Sequence, residues 1–107
     1  FFDELIHFLM GDLHNHQEMV LSMVFTGEEA VKKARELAGA TNPELADFRS
    51  VRGSLGRVTT KGVFENVIHV SSDAKEGERE IKLWFTPEEL AQELFPTALQ
   101  GQRKVWA

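Results

Sequence analysis

The sequence of this 107-residue chain predicts an α+β domain, and three observations carry that prediction. A capped amphipathic pattern begins at Thr26, two short runs rich in β-forming residues occupy 19–25 and 66–70, and a charged helical stretch covers 73–85. Apolar residues at every third or fourth position indicate a helix, whereas short continuous apolar runs are typical of buried strands. We therefore expect helices packed on a small sheet.

The first quarter of the chain predicts a helix, a loop and a strand in that order. Residues 1–10 have an apolar face at helical spacing, and residues 11–18 (GDLHNHQE) are polar and rich in turn formers. Residues 19–25 (MVLSMVF) are short, apolar and rich in β-formers, which favours a buried strand over another helix.

The next segment predicts a helix followed by a functional loop. Thr26 and Glu29 have capping-box spacing, and helical periodicity then continues until Gly39. From Ala40 to about Glu65 the periodicity is lost. Long loops in small domains are usually functional, so we interpret this segment as a working loop.

The last part of the chain predicts one strand and two helices. Residues 66–70 (NVIHV) indicate a short strand, and a helix with acidic residues near its start is expected from Asp73 to about Phe85. Residues 86–89 (TPEE) combine proline at the first helical position with a second capping box, which indicates another short helix. The tail from Phe95 shows no clear period.

Composition and charge exclude several classes of function. The net charge of −5 argues against a sequence-independent grip on nucleic acid, although a few local arginines can still hold a small anion. The absence of cysteine excludes disulfides and thiolate chemistry and fits a cytoplasmic protein. No apolar stretch is long enough to span a membrane. Because the chain begins with Phe1 inside an apolar pattern, we expect it to be part of a longer polypeptide.

His69 is the first candidate for chemistry, because it lies near the end of a predicted strand, where ligands are often bound. Taken alone, such a histidine is more often structural. Its companions shift the balance: one threonine and four arginines lie on or beside the working loop, namely Arg35, Thr41, Arg49, Arg52 and Arg57. A guanidinium fork matches phosphate oxygens, and a hydroxyl adds a donor. These residues alone therefore support two interpretations about equally: a site that binds a small anion, or a set of solvated surface charges.

Longer motifs distinguish these interpretations. RSVRGSLG (49–56) is followed by NVIHVSSDAKEGEREIKLWFTPEEL (66–90), while ARELAGATNP (34–43) and FFDEL (1–5) precede them. Together they resemble the carboxyl half of the nucleoside diphosphate kinase family. The resemblance runs from Phe1 to about Leu90. It implies a ferredoxin-like antiparallel sheet with helices packed on it, of which residues 1–107 form a partial domain without the amino-terminal strands.

The resemblance implies a role for each matching residue. The family's phosphate-accepting histidine falls on His69, and the pair that supports it falls on Ser71 and Glu80. The family's nucleotide-binding positions fall on Phe1, Leu5, Arg35, Thr41, Arg52, Val63 and Asn66. In the family the first two and the valine contact the base, the arginines and threonine hold phosphates, and the asparagine reaches the sugar hydroxyl and phosphates. Magnesium, bridging the nucleotide phosphates, is the implied cofactor.

Some features depart from the family pattern. The amino-terminal segment with its Lys-Pro-Asp strand, active-site lysine and tyrosine is absent from the chain. Val70 stands where the family has a glycine, and Ser72 stands where it usually has an aspartate. Asp73, one residue later, is the candidate to take the place of that aspartate. The connection over 11–18 and the path from Arg52 to His69 are longer than usual. His14 and His16, in the first of these, have no further ligand beside them and are interpreted as solvated loop residues.

The sequence thus predicts a cytoplasmic, homo-oligomeric enzyme that transfers a terminal phosphate from a nucleoside triphosphate to a nucleoside diphosphate through phospho-His69. Nucleic acid and membrane are not expected partners. A non-catalytic nucleotide-binding or interaction module of the same fold is the alternative, favoured by Val70, Ser72 and the missing lysine. A scaffolding domain that uses the long loop only for assembly is a third, weaker hypothesis.

Overall fold

The computed structural model describes residues 19–107 and confirms the α+β class. Contacts divide the chain into two compact units, Phe1–Val70 and Ser71–Ala107. The helix predicted over residues 1–10, the loop over 11–18 and the two loop histidines lie outside the described residues. Among the residues described, no helix is both long and apolar enough to cross a membrane.

From residue 19 onward, the first unit contains two helices and one short hairpin. In chain order these are α1 (Ala30–Ala38), α2 (Val51–Leu55), β1 (Arg57–Val58) and β2 (Phe64–Glu65). The strands pair antiparallel, with Arg57 opposite Glu65 and Val58 opposite Phe64. The segment interpreted as a working loop therefore contains a helix and a hairpin. Its sequence lacked periodicity because each element is too short to show one.

Helix α1 ends as predicted but begins differently. Gly39, at φ 92°, closes the helix, and its N–H donates to the Arg35 carbonyl at 3.0 Å. A Cβ at this position would lie 2.3 Å from Ser50 Oγ, so only glycine fits. The predicted capping box is wrong, because the helix starts three residues late and Glu29 itself becomes a left-handed cap without a side-chain bond.

The buried strand predicted over residues 19–25 is also wrong. The segment has no regular structure, and Met19 and Phe25 are 99% and 73% exposed. A strand needs a pairing partner, and none of the strands within residues 19–107 pairs with this segment. An apolar run reports the tendency to be buried, but it does not supply the neighbour that would bury it.

The part of the first unit that the structure describes has a partly polar core. Within residues 19–70, Ala38, Pro43 and Val63 are buried, and so are the polar residues Ser50 and Arg52. Ser50 caps α2: its Oγ accepts from Gly53 N–H at 3.1 Å and donates to the Asp47 carbonyl at 2.6 Å. These two hydrogen bonds of the Ser50 hydroxyl fix the start of the helix that carries Arg52.

The second unit contains one long helix, a single 3₁₀ turn and a hairpin. These are α3 (Ala74–Trp84), the turn Pro87–Glu89, β3 (Thr97–Gln100) and β4 (Arg103–Trp106). The predicted helix over 73–85 is confirmed. The second capping box is confirmed as well, although only one turn follows it.

The hairpin of β3 and β4 is an element that the sequence did not reveal. Its strands pair antiparallel from Thr97 opposite Trp106 to Gln100 opposite Arg103, across a two-residue loop that starts with Gly101 at φ 65°. The indole Nε1 of Trp106 donates to the Phe85 carbonyl at 2.9 Å. This bond ties the hairpin to the end of α3. The Gly-Gln pair at 101–102 is the signal that could have identified it, since a Gly-X loop is typical of two-residue hairpins.

Asp73 is the residue on which the start of α3 depends, and its removal should destabilise the protein. Its Oδ1 accepts from Glu76 N–H at 2.8 Å, satisfying a donor that otherwise has no partner within the helix. Asp73→Ala should lower the free energy of unfolding by about 1 kcal/mol in urea denaturation. Asp73→Asn keeps the acceptor and should lose much less. Equal losses in both variants would contradict the capping role.

Candidate active site

The segment that carries His69 is not the predicted strand. β2 ends at Glu65, and Val67 then adopts a left-handed conformation at φ 69°. The Ile68 N–H donates to the Asn66 carbonyl at 2.7 Å, which closes a three-residue turn around Val67. A left-handed β-branched residue costs on the order of 1–3 kcal/mol and recurs at functional sites. His69 follows this strained turn directly, and its side chain is exposed.

Arg52 links the end of α1 to the residue that precedes His69. Its side chain is only 8% exposed; Nη1 donates to the Gly39 carbonyl at 2.9 Å and Nη2 donates to the Ile68 carbonyl at 2.8 Å. Its Nε is buried and has no hydrogen-bond partner in the structure of residues 19–107. The guanidinium therefore acts on backbone carbonyls of two separate segments.

Arg35 approaches the residue on the other side of His69. It lies on α1 with an exposed side chain, and its Nη1 donates to the Val70 carbonyl over a long 3.4 Å. Burial lowers the pKa of Arg52, and the positive charge of Arg35 lowers it further. Two guanidinium groups that repel each other beside an exposed histidine form a site where an anion would relieve the repulsion.

The remaining predicted nucleotide-binding residues of the first unit occupy different environments. Thr41 is exposed just after the end of α1, and Asn66 is half-buried with its carbonyl in the turn around Val67. Val63 is 1% exposed, so its side chain belongs to the core and offers no open surface to a base. Its contact with the base stays a prediction. Phe1 and Leu5 lie outside the described residues.

The second unit holds the pair that the resemblance assigns to supporting the histidine. Ser71 Oγ donates to Glu80 Oε2 at 2.7 Å, and both side chains are half-buried. The bond links the residue at the start of this unit to the middle of α3. A carboxylate that accepts such a short bond is held in one orientation.

Two glycines matter to the site in a way that sequence reasoning missed. Gly39 supplies one of the carbonyls held by Arg52. Gly53 follows Arg52 in α2, and a Cβ there would lie 1.9 Å from the Asp47 carbonyl oxygen. The Arg-Gly pair at 52–53, within the RSVRGSLG motif, is the signal that could have revealed this close packing.

Known proteins resemble this chain over most of its length. The family model described as nucleoside diphosphate kinase matches residues 1–90. A nucleoside diphosphate kinase of Desulfitobacterium hafniense is 42% identical over 90 residues, which cover 84% of this chain and 54% of that protein. One of Staphylococcus aureus is 38% identical over 106 residues, which cover 99% of this chain and 60% of that protein.

A solved structure supports the fold. The crystal structure of apo nucleoside diphosphate kinase from Encephalitozoon cuniculi matches with a TM-score of 0.54 and 34% identity, over 78% of this chain and 56% of that one. The chain thus spans little more than half the length of the relatives it matches. With the family model matching most of its residues, the chain belongs to the nucleoside diphosphate kinase family.

Proposed function

We propose that the protein containing this chain transfers the terminal phosphate of a nucleoside triphosphate to a nucleoside diphosphate through a phosphohistidine at His69. One observation carries the proposal: His69 is exposed, while Arg52 binds the carbonyl before it and Arg35 binds the carbonyl after it. Two cationic groups suited to phosphoryl oxygens, one from each helix of the first unit, therefore reach the short segment that carries the nucleophile.

The chemistry follows from these groups. A ring nitrogen of neutral His69 forms a bond to the terminal phosphorus as the bond to the leaving diphosphate breaks, and the diphosphate departs with the electron pair. Arginine charge offsets the negative charge on the phosphoryl oxygens as that bond loosens, since this kind of transfer depends on positioning and electrostatics. A second nucleoside diphosphate then takes the phosphoryl group from the histidine by the reverse step, which gives ping-pong exchange.

Magnesium fits this site only as a companion of the nucleotide. Among residues 19–107 there is no group of three or more histidine or acidic side chains that could hold a metal ion. Asp73 already uses Oδ1 to cap α3. Mg²⁺ commonly binds through substrate phosphates, waters and one or two carboxylates, so a weak protein contribution is compatible with it. When bound, the ion would neutralise phosphate charge.

The direct test is labelling of the full-length protein with γ-labelled nucleoside triphosphate and magnesium. The expected product is a phosphoprotein that is labile in acid and stable in base, as a nitrogen-linked phosphate is, and that loses its label on addition of nucleoside diphosphate. A label that survives acid, or that stays on the protein when diphosphate is added, would contradict the mechanism.

A non-catalytic nucleotide-binding module is the second candidate, and particular residues favour it. Val70 and Ser72 replace the family's glycine and aspartate. This candidate predicts saturable binding of nucleoside diphosphates without a phosphoprotein. A Lys-Pro-Asp segment in the full-length protein would favour the enzyme. The net charge of −5 favours nucleotides over nucleic acid as partners, and the resemblance supports homo-oligomerisation and a cytoplasmic location.

Base preference provides a further prediction about the nucleotide site. If Phe1 contacts the face of a nucleobase rather than its polar edges, binding should tolerate every base, because each base has a π-face. Dissociation constants for adenine, guanine and pyrimidine diphosphates, measured by calorimetry, should then agree within about tenfold, or roughly 1.4 kcal/mol. A hundredfold preference for one base would show that polar edges are recognised.

A further inference from the structure

We propose that Arg52 is a positioning residue for His69, fixing the backbone that presents the imidazole before any nucleotide binds. The proposal rests on the proposed function, because it concerns the same histidine. It differs from a role in holding nucleotide phosphates, since the bonds that carry it are made within the protein itself.

The geometry makes the guanidinium a bridge between two backbone segments. One side of its fork holds the Gly39 carbonyl at the end of α1, and the other side holds the Ile68 carbonyl. The Ile68 carbonyl belongs to the planar peptide group that continues into His69. Fixing that oxygen therefore fixes the orientation of the peptide plane from which the His69 side chain departs.

The strained turn explains why such a bridge is needed. Val67 is left-handed, a conformation that β-branched residues avoid, and it will relax towards an extended conformation unless its neighbours are held. The peptide group before Ile68 is held by the Asn66 carbonyl, and the peptide group after it is held by Arg52. Both peptide groups of Ile68 are thus fixed, which keeps the turn closed.

The burial of Arg52 supports a structural use of its charge. The side chain is 8% exposed, yet its hydrogen bonds go to backbone carbonyls rather than to a carboxylate. A lysine has one compact ammonium and cannot span both carbonyls with a planar fork. Arg52→Lys therefore keeps the positive charge and removes the bridge, which separates the two roles of this residue.

The first measurement is hydrogen exchange of the Ile68 amide in the nucleotide-free, full-length protein. Arg52→Lys should speed exchange of this amide by about tenfold or more, the equilibrium effect of losing one hydrogen bond from a charged donor. Arg49→Lys is the matched control. Arg49 is exposed in the same part of the chain and bonds to Asp47, so its replacement should leave this amide unchanged.

The second measurement separates positioning from nucleotide binding. Phosphoramidate carries no nucleotide; its P–N bond breaks, ammonia leaves and a ring nitrogen of His69 gains the phosphoryl group. Arg52→Lys should slow this labelling by roughly a hundredfold, the cost of a small displacement of a reacting group. The dissociation constant for nucleoside diphosphate should rise by less than about threefold, or roughly 0.65 kcal/mol.

The outcomes distinguish this inference from the proposed function. Unchanged exchange at Ile68 in Arg52→Lys would overturn the inference, as would loss of the whole fold in that variant, which would make Arg52 a general stability residue. Weakened nucleotide binding with normal phosphoramidate labelling would assign it to phosphate binding alone. If exchange increases but the parent protein forms no phosphohistidine, the bridge exists and the proposed function fails instead.

Discussion

Replacement of His69 by Asn should abolish both the phosphoprotein and phosphate exchange in the full-length protein. The amide of asparagine has no nucleophilic lone pair comparable to that of a neutral imidazole. Asparagine is polar, and the side chain at this position is exposed, so the fold should be retained. Labelling with γ-labelled triphosphate and coupled exchange between two nucleotides would measure the two losses, and unchanged thermal unfolding would show that they are chemical.

Glu80→Gln is the contrasting variant. Glu80 accepts from Ser71 Oγ at 2.7 Å, and a glutamine can still accept that bond, so labelling should slow much less than in His69→Asn. A His69→Asn protein that exchanges phosphate at the parent rate would make this histidine structural and the phosphohistidine mechanism wrong. A Glu80→Gln loss as large as that of His69→Asn would mean that the carboxylate takes part in the transfer itself.

Local capping chemistry accounts for the elements that the sequence predicted well. Asp73 caps α3, and the box of Thr86 and Glu89 forms as expected. Both signals depend on hydrogen bonds between residues three apart, so they need no information about the rest of the fold. The box at Thr26 failed because the chain enters α1 through left-handed Glu29, a backbone conformation that spacing does not reveal.

Tertiary partners account for the elements that it did not predict. Residues 19–25 and 66–70 have strand composition, but the first is unpaired among the described residues and the second contains the turn at Val67. Composition describes what a segment tolerates, whereas pairing and strain depend on distant residues. The β3–β4 hairpin was missed for the complementary reason, since its short strands lack a clear alternating pattern.

In the candidate site, too, local features could be predicted from the sequence and contacts with distant residues could not. Clustering of the arginines predicted an anion site, and the structure brings Arg35 and Arg52 to the two sides of His69 within the first unit. Spacing could not show that Arg52 is buried or that it bonds to the carbonyls of Gly39 and Ile68, because those partners lie 13 and 16 residues away.

Gly53→Ala should be strongly destabilising, because α2 packs so closely on its neighbour that a methyl group has no room. A Cβ at this position would lie 1.9 Å from the Asp47 carbonyl oxygen and 2.6 Å from its carbon, and both atoms belong to the backbone. A flexible side chain could move aside at little cost, but here a whole segment must shift. Forcing an extra methyl into packed structure typically costs about 1–3 kcal/mol, and we expect the upper end of that range.

The displacement should also reach the candidate active site. Gly53 directly follows Arg52, so moving α2 should pull the guanidinium from the Ile68 carbonyl and slow phosphoryl transfer as well as lower stability. Gly27→Ala is the matched control, because no atom lies within 4 Å of a Cβ there, and it should change stability by no more than about 1 kcal/mol. Urea denaturation of the full-length protein would compare the two midpoints at equal slope. Equal midpoints would show that α2 can shift away from Asp47 freely, and the glycine of the Arg-Gly pair would then have no packing role.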